Sequence, residues 1–458
     1  MRTIICGAGQ VGYNIASYLA RENNDVTVID LKSELISKVN DELDVNGIVG
    51  HGSNPDVLRA AGAEDADMIV AVTHYDEVNM VACQVAHSLF NIPKKIARVR
   101  QSSYLEPAWA NLFSRSHMPI DVIISPEKEV AVNILERLKT PGTTDTISLL
   151  NGDAYCLSVL CDTNCPLLHT PLKQLLDLFP DLDARILLIT RAGKHILPSV
   201  ENQFFEGDEV TFIVRKEHVA RALSAFGHEE NEAGSVLIVG AGNIGLQLCT
   251  LLKEHNKKID MRVIEASAAR AQEVSKDFPN CMILHGDALD KKILEEAGID
   301  NIETVISVTN DDEVNILSSL LANESGNART ITLVNKEIYT TLTNALGINA
   351  IVSPRMITAS KIMKHVRRGR INATHSIKDG YAEVIEVRAS DSCQIINTPL
   401  EKLHLPPGVV ISLIQREGEI ILPNRATVIK PDDVIVFFAT HGSVSYVEKL
   451  FSFKFDLI

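Results

Sequence analysis

The stretch Arg2-Thr3-Ile4-Ile5-Cys6-Gly7-Ala8-Gly9-Gln10-Val11-Gly12 decides the fold. Its opening is a short apolar run, the pattern of a buried strand. The glycines follow at once, and residues 13–21 read as a helix. A G-x-G-x-x-G run between strand and helix is the setting in which this motif holds a dinucleotide. Gly7 permits the tight turn, Gly9 lets the backbone approach a pyrophosphate, and Gly12 is expected to let the helix pack close to the strand. The N–H groups and dipole at the helix start favour an anion. A second apolar strand over 25–29 ends at Asp30. An acid there accepts hydrogen bonds from ribose hydroxyls and repels a 2′-phosphate, which favours NAD or a simple adenine nucleotide over NADP.

Outward from this turn, strands and helices alternate. Residues 33–43 read as a helix, 47–50 as a short strand, 54–61 as a helix ending near Gly62, and 68–72 as a buried strand. Asp76 is expected to cap a helix over 77–89. A fifth strand covers 95–99, and a sixth covers 121–124, closed by Ser125-Pro126. This alternation predicts a six-stranded parallel sheet with helices on both faces, a doubly wound Rossmann-like α/β domain. One more helix over 127–139 is stopped by Pro141-Gly142. The pattern then changes to short strands over 146–160 broken at Asn151-Gly152, a helix start at Thr170-Pro171, strands over 184–190 and 208–214, and a turn at Ala192-Gly193. This is a small α+β module. The acidic linker Glu229-Glu230-Asn231-Glu232-Ala233-Gly234 follows it.

The same order then recurs. An apolar run over 235–239 leads into Gly240-Ala241-Gly242-Asn243-Ile244-Gly245, and a second strand ends at Glu265, the partner of Asp30. His51-Gly52 returns as His285-Gly286, and Val72-Thr-His-Tyr-Asp-Glu-Val-Asn79 as Val308-Thr-Asn-Asp-Asp-Glu-Val-Asn315. Ser125-Pro126 returns as Ser353-Pro354, His169-Thr-Pro-Leu172 as Asn397-Thr-Pro-Leu400, and Glu206-Gly-Asp-Glu-Val210 as Lys430-Pro-Asp-Asp-Val434. A chain of 458 residues accommodates about three domains on length alone. The duplication makes four: Rossmann-like domains over 1–140 and 235–370, and small α+β modules over 141–228 and 371–458.

Composition narrows the partners. The formal net charge of -15 and pI near 5.4 argue against a nucleic-acid surface and against charge-driven adhesion to anionic lipid. No apolar run approaches the roughly 20 residues of a membrane span. With a strand starting at Arg2, a targeting leader is not expected. Work at a membrane would then need another subunit to hold the chain there. Of the eight cysteines, Cys156, Cys161 and Cys165 lie close together. They lack paired C-x-x-C spacing and a histidine set, so buried free thiols in a reducing cytosol are expected and no metal is.

Several polar residues fall where a nucleotide would lie. Thr73 and His74, and in the second half Thr309 and Asn310, follow the fourth strand. His74 is not repeated, which argues against a catalytic histidine. Arg98 stands at the carboxyl end of the fifth strand, where it reads either as a phosphate or ribose arm or as an exposed strand-end arginine. Leu333 and Asn335 stand opposite Arg98 and Arg100, so the second site lacks those cations. Asp76-Glu77 and Asp312-Glu313 read as helix-start acids, and His51 and His285 as turn residues. The helices after Ser125-Pro126 and Ser353-Pro354 carry Val130, Ile134 and Leu138, and Ile357, Lys361, Ile362 and Val366. The second runs into the basic end His365-Val-Arg-Arg-Gly-Arg370. Each is either a crossover helix packed on its own sheet or a hinge or dimer element between modules; pattern leaves both open.

Gly7–Gly12, Asp30, Gly50-His-Gly-Ser53, Ala71-Val-Thr73, Asp76-Glu77, Asn79-Met-Val-Ala-Cys-Gln-Val85 and Ser88-Leu-Phe-Asn91, with Val239–Gly245, Gly286-Asp-Ala288 and Val308–Glu313, carry a resemblance. In these residues and in its ordered set of four modules, essentially the whole chain resembles the peripheral nucleotide-binding subunits of Trk potassium uptake systems. In that family a domain that regulates potassium conductance (RCK), with a smaller C-terminal module, occurs twice. The resemblance implies a homotetrameric ring that binds NAD(H), with ATP or ADP as alternative ligands, beneath a Trk-type potassium channel membrane subunit. It implies a cytoplasmic protein, peripheral on the cytosolic face of the inner membrane, that gates the channel and catalyses nothing. By matching position, Gly7, Ala8, Gly9, Gln10, Val11, Gly12, Asp30, Thr73, His74 and Arg98 would bind nucleotide in the first half. Gly240, Ala241, Gly242, Asn243, Ile244, Gly245, Glu265, Thr309 and Asn310 would do so in the second, with a weaker or different preference.

An NAD-dependent oxidoreductase is the rival reading. It needs an acid–base residue beside the nicotinamide, and the repeated small modules share no His, Lys or Cys for that task. A third reading is a sensor of NAD redox state acting on another partner. For the small modules, dimerisation is expected over binding of an ion or second messenger.

Overall fold

The computed structural model describes residues 1–21, 24–174, 184–326, 328–336, 338–339, 347–366, 371–378, 380–391, 393 and 395–451. Two units make up the chain: residues 1–129 with 354–367, and residues 130–353 with 368–458.

In the first half the elements run β1 (Arg2–Cys6), α1 (Gln10–Arg21), β2 (Asp25–Asp30), α2 (Ser33–Glu42), β3 (Asn46–Val49), α3 (Pro55–Ala60), β4 (Met68–Ala71), α4 (Asp76–Phe90), β5 (Lys94–Arg98), β6 (Val122–Ile124) and α5 (Pro126–Lys139). The strands pair in the order β3-β2-β1-β4-β5-β6, all parallel. The order reverses between β1 and β4, and open parallel sheets bind ligands at the strand ends beside such a switch. One apolar core joins Ile4, Ile69, Met80 and Cys83 beneath α4; the other joins Ile5, Val28, Ile15 and Leu19 beneath α1. That is the two-faced burial that makes these strands read as continuous apolar runs.

Asp76 departs from expectation. The helix begins on it, and its carboxylate accepts the N–H groups of Arg100 (2.9 and 3.0 Å) and Gln101 (2.9 Å) beyond β5. Asp312 holds Asn335 (2.9 Å) and Lys336 (2.8 Å) in the same way. These acids fasten the exit of the neighbouring strand and do not cap their own helices.

The first small module contains β7 (Thr143–Leu149), β8 (Ala154–Leu160), β9 (Ala184–Arg191), β10 (Lys194–Ile196), β11 (Glu209–Arg215) and α6 (Val219–Ala225). Its antiparallel order is β10-β9-β11-β8-β7. The short β10 and α6 have no counterpart in the sequence reading. A helix begins after Thr170-Pro171 at Leu172, and residues 175–183 lie outside the described residues.

The second half repeats the plan. Its elements are β12 (Ser235–Val239), α7 (Asn243–His255), β13 (Asp260–Glu265), α8 (Ala268–Asp277), β14 (Met282–His285), α9 (Lys291–Glu296), β15 (Thr304–Ser307), α10 (Asp312–Gly326), β16 (Arg329–Leu333), β17 (Ala350–Val352) and α11 (Pro354–Val366). Then come β18 (Ile371–Ile377), β19 (Ala382–Arg388), β20 (Val409–Arg416), β21 (Glu419–Ile421), β22 (Val434–Thr440) and α12 (Val444–Phe451). The sheets are β14-β13-β12-β15-β16-β17 and β18-β19-β22-β20-β21.

Within the second unit the two small sheets pack face to face. Leu149, Leu187, Leu188 and Ile213 share one core with Val384, Leu413, Val436 and Phe438. Arg185 crosses this interface to the carbonyls of Ile411 (2.5 Å) and Pro423 (2.6 Å). The repeated Asp-Glu-Val and Asp-Asp-Val landmarks also find their reason here. Arg191 holds buried Asp208 through two bonds (2.7 and 2.8 Å), and Arg416 holds buried Asp433 likewise (2.9 and 2.8 Å). A forked guanidinium–carboxylate pair satisfies a carboxylate that burial would otherwise penalise.

Helix α11 resolves one open alternative. It follows β17 in sequence, yet it packs against α1 of the first sheet, burying Ile362 and Met363 in the core of Ile5, Ile15 and Leu19. Lys361 pairs with Glu129 at 2.8 Å, and Lys94 donates to the His365 carbonyl. The basic run after Val366 lies outside the described residues. Seven of the eight free thiols are buried, and Cys281 is half-buried. Burial pushes Cys281 up to about 11 and Cys6 up to about 12.

Candidate functional site

The glycine turns sit where β1 and β12 end. Gly7 (φ +110°) and Gly240 (φ +101°) adopt the conformation that L side chains rarely reach. A β-carbon on Gly12 would lie 1.8 Å from the Gly7 carbonyl oxygen, and one on Gly245 would lie 2.1 Å from that of Gly240. The strand side chain Ile5 is 3.4 Å away. The third glycine is therefore required by the loop's own carbonyl more than by helix–strand packing, which refines the expectation above. Gly9 and Gly242 are the opposite case: a β-carbon there meets nothing within 4 Å. Gly9 and Gln10, like Gly242 and Asn243, are exposed, while Ala8, Gly12, Ala241 and Gly245 are buried and Val11 and Ile244 half-buried. Each turn is thus closed on itself and open outward at its middle glycine.

The acids at the second strands brace these turns. Asp30 accepts the N–H of Ala8 (2.7 Å) and of Lys32 (2.9 Å). Glu265 accepts those of Ala241 (2.8 Å) and Ser267 (2.9 Å). A carboxylate has about four acceptor sites, so bracing leaves capacity for ribose hydroxyls.

Across the switch point, Thr73 and Thr309 follow β4 and β15, with the exposed His74 and Asn310 beside them. Each threonine is gripped by a fully buried asparagine absent from the expected site. Asn79 Oδ1 accepts the Thr73 N–H (2.8 Å) and hydroxyl (2.7 Å), while its Nδ2 donates to the carbonyls of Thr73 (3.2 Å) and Arg98 (2.9 Å). Asn315 repeats all four contacts with Thr309 and Leu333, at 2.8, 2.7, 3.0 and 3.1 Å. The signal lay in the repeated V-T-x-x-D-E-V-N segment, whose last residue is this asparagine.

Arg98 is half-buried and donates through Nη2 to the Thr73 carbonyl at 2.8 Å. Its Nε is buried with no hydrogen-bond partner among the described residues. Desolvation first, and neighbouring Arg100 second, disfavour its charge, against the pull of Glu127 and Asp76. Arg100 is paired with Glu127 at 2.7 Å. In the second half, buried Leu333 takes the place of Arg98. The half-buried His51 bonds Ser53 at 2.8 Å, as a turn residue does.

Comparison with known proteins places this architecture. The TrkA-N domain model matches residues 3–126 and 236–354, and the TrkA-C domain model matches 157–227 and 384–452. A Trk system potassium uptake protein TrkA from Azorhizobium caulinodans is 47% identical over 451 residues, 98% of each chain. The TrkA of Halomonas elongata is 37% identical over 455 residues, again 98% of each. Among solved structures, the GsuK channel bound to NAD is similar with a TM-score of 0.59 at 17% identity, over 98% of this chain and 78% of that one. The GsuK RCK domain matches equally well, over 94% of its own length. Two TrkA-N and two TrkA-C domains in alternation, with full-length relatives on either side of 40% identity, establish that this chain belongs to the TrkA family of Trk potassium uptake proteins.

Proposed function

We propose that this chain is the cytosolic regulatory subunit of a Trk-type potassium uptake system, controlled by nucleotides at its two glycine turns. The observation that carries this reading is the pair of turns closed at Gly12 and Gly245 yet open at Gly9 and Gly242. NAD(H) suits the donor set. The N–H groups at the starts of α1 and α7 would hold the pyrophosphate, and Asp30 and Glu265 would take ribose hydroxyls. ATP and ADP share those elements; the GsuK channel, which shares this fold, has been solved with NAD and with ADP. Thr73, His74 and Arg98, and on the other side Thr309 and Asn310, would line the opposite wall. With Leu333 in place of Arg98, the second site would respond less to phosphate charge.

The reading involves no catalysis. Such a subunit would sit in the cytoplasm on the inner membrane through its channel partner, as a ring of four copies. Among the described residues no helix is long and apolar enough to cross a membrane. A ligand shifts a ring between two shapes only by binding one of them more tightly. Moving the balance from 1:99 to 99:1 takes about 10⁴-fold in affinity ratio, a load that several sites share readily.

The test is potassium flux in vesicles carrying the channel subunit and this protein, with Gly9→Asp and Gly242→Asp variants. Each substitution points into open space, so the protein folds, and each puts a carboxylate where a phosphate would sit. The double variant is expected to lose the response of flux to NADH, ATP and ADP. A double variant that responds as the parent does would overturn the proposal.

A further inference from the structure

The most telling residue outside the expected site is Arg355, in the first turn of α11. Although α11 belongs to the second half of the sequence, it lies along α1 of the first. Its placement is fixed by the buried Ile362 and Met363, by the Lys361–Glu129 pair and by Lys94 on the His365 carbonyl. This sets the half-buried Arg355 beside the first glycine turn, where its Nη1 donates to Gln10 Oε1 at 3.1 Å. Gln10 is the first residue of α1, immediately after the outward-open Gly9. The guanidinium therefore stands at the mouth of the turn, within a side chain's reach of the seat for an anion. Its planar fork of donors suits phosphate oxygens better than any other side chain does.

The duplication supplies a built-in comparison. Ser353-Pro354-Arg355 corresponds to Ser125-Pro126-Glu127, so the two crossover helices carry opposite charges at the same place. Glu127 is committed to Arg100 at 2.7 Å. Together with Leu333 in place of Arg98, this makes the two sites electrostatically unequal. The first gathers Arg98 from its own sheet and Arg355 from α11; the second lacks a cation at both equivalent positions, and the arginine that reaches its turn, Arg270, donates to the Ala241 carbonyl at 3.1 Å but is paired with Glu273 at 2.6 Å. Asp30, which braces the same turn from the end of β2, would repel a highly charged ligand, and these two arginines offset it.

Resting on the nucleotide reading above, we propose that Arg355 is a phosphate-binding residue of the first site and makes that site prefer the more highly charged nucleotide. A phosphate would replace Gln10 as the acceptor for Nη1 of the guanidinium. Occupancy of the first site would then be felt directly by α11, which continues in sequence into the second small module.

The experiment uses the full-length protein with the second site silenced by Gly242→Asp, titrated with ATP and with NAD. Arg355→Gln is expected to weaken ATP binding about tenfold or more, and NAD binding by less, since one charge-assisted contact of this kind is worth that much. Arg355→Met keeps the stem against α1 and serves if the glutamine variant folds poorly; Arg355→Lys restores part of the ATP preference. ATP binding within twofold of the parent in both uncharged variants, or an unchanged ATP-to-NAD ratio, would overturn the proposal while leaving the nucleotide site standing. A parent that binds neither ligand, or whose binding survives Gly9→Asp, would overturn the site reading and this inference with it.

Discussion

Gly12→Ala is expected to destabilise the first nucleotide-binding domain by more than about 4 kcal/mol, whereas Gly9→Ala, three residues away, shifts stability by no more than about 0.5 kcal/mol. The difference follows from what the added methyl would meet. At Gly12 it would stand 1.8 Å from the Gly7 carbonyl oxygen and 2.9 Å from its carbon. Both are backbone atoms, so no rotamer change relieves the collision. Nor can Gly7 move aside cheaply. Its N–H is bonded to the Ile29 carbonyl at 2.7 Å, and its own β-position faces Thr73 backbone at 3.0 Å. Relief would mean lifting α1 from β1 and opening the core of Ile5, Ile15 and Leu19. At Gly9 the methyl meets nothing within 4 Å. Gly9→Ala should therefore keep the fold and impair only ligand approach. Thermal melts decide the matter. At roughly 2–4 °C per kcal/mol for a domain of this size, Gly12→Ala should lower the transition by about 10 °C or more. The second half replicates the experiment, with Gly245→Ala against Gly242→Ala. If Gly12→Ala melts with the parent, the loop carbonyl is not what excludes a side chain.

What could be read from residues alone follows a physical divide. Gly7, Gly9 and Gly12 were legible because a turn's sterics are local and glycine is the residue that satisfies them. Asp30 and Glu265 were legible because they end a strand of clear apolar pattern. The duplication was legible because it compares the chain with itself. What stayed hidden involves partners far away in sequence. Asp76 looks like a cap beside its own helix, but its partners are the N–H groups of Arg100 and Gln101. The apolar face of α11 shows that it packs on something, not that the something is α1. Arg355 lay in a basic, amphipathic segment, and only the fold carries it to Gln10. The Glu127 and Arg355 contrast, however, was open to anyone who aligned the two Ser-Pro pairs.

Asn79→Ala should cost about 3 kcal/mol and displace the wall of the first site facing the glycine turn. One amide organises four otherwise independent groups: the Thr73 N–H, the Thr73 hydroxyl and the carbonyls of Thr73 and Arg98. Asn79 is fully buried, so water reaches the vacated positions poorly, and each stranded buried group costs about 1–3 kcal/mol. The half-buried Thr73 hydroxyl keeps the Tyr75 carbonyl as an acceptor at 3.2 Å, so three groups are stranded and partial rearrangement keeps their sum near the lower end. The melt should fall by roughly 6–12 °C. Asn79→Asp separates this account from simple loss of packing. It preserves volume and the acceptor for Thr73, but it turns an oxygen toward two carbonyls that now receive a hydrogen bond. A buried carboxylate facing carbonyl oxygens is disfavoured by both desolvation and repulsion. The near-isosteric aspartate should therefore be at least as damaging as alanine at neutral pH, and should recover part of its loss as the pH falls and the group takes up a proton. That sign is the reverse of what a structural carboxylate paired with a cation would give. Asn315 makes the same contacts in the second half, so Asn315→Asp should behave alike. If aspartate at position 79 is tolerated while alanine is not, the donor half of the amide contributes little. The Arg98 carbonyl would then need another tether.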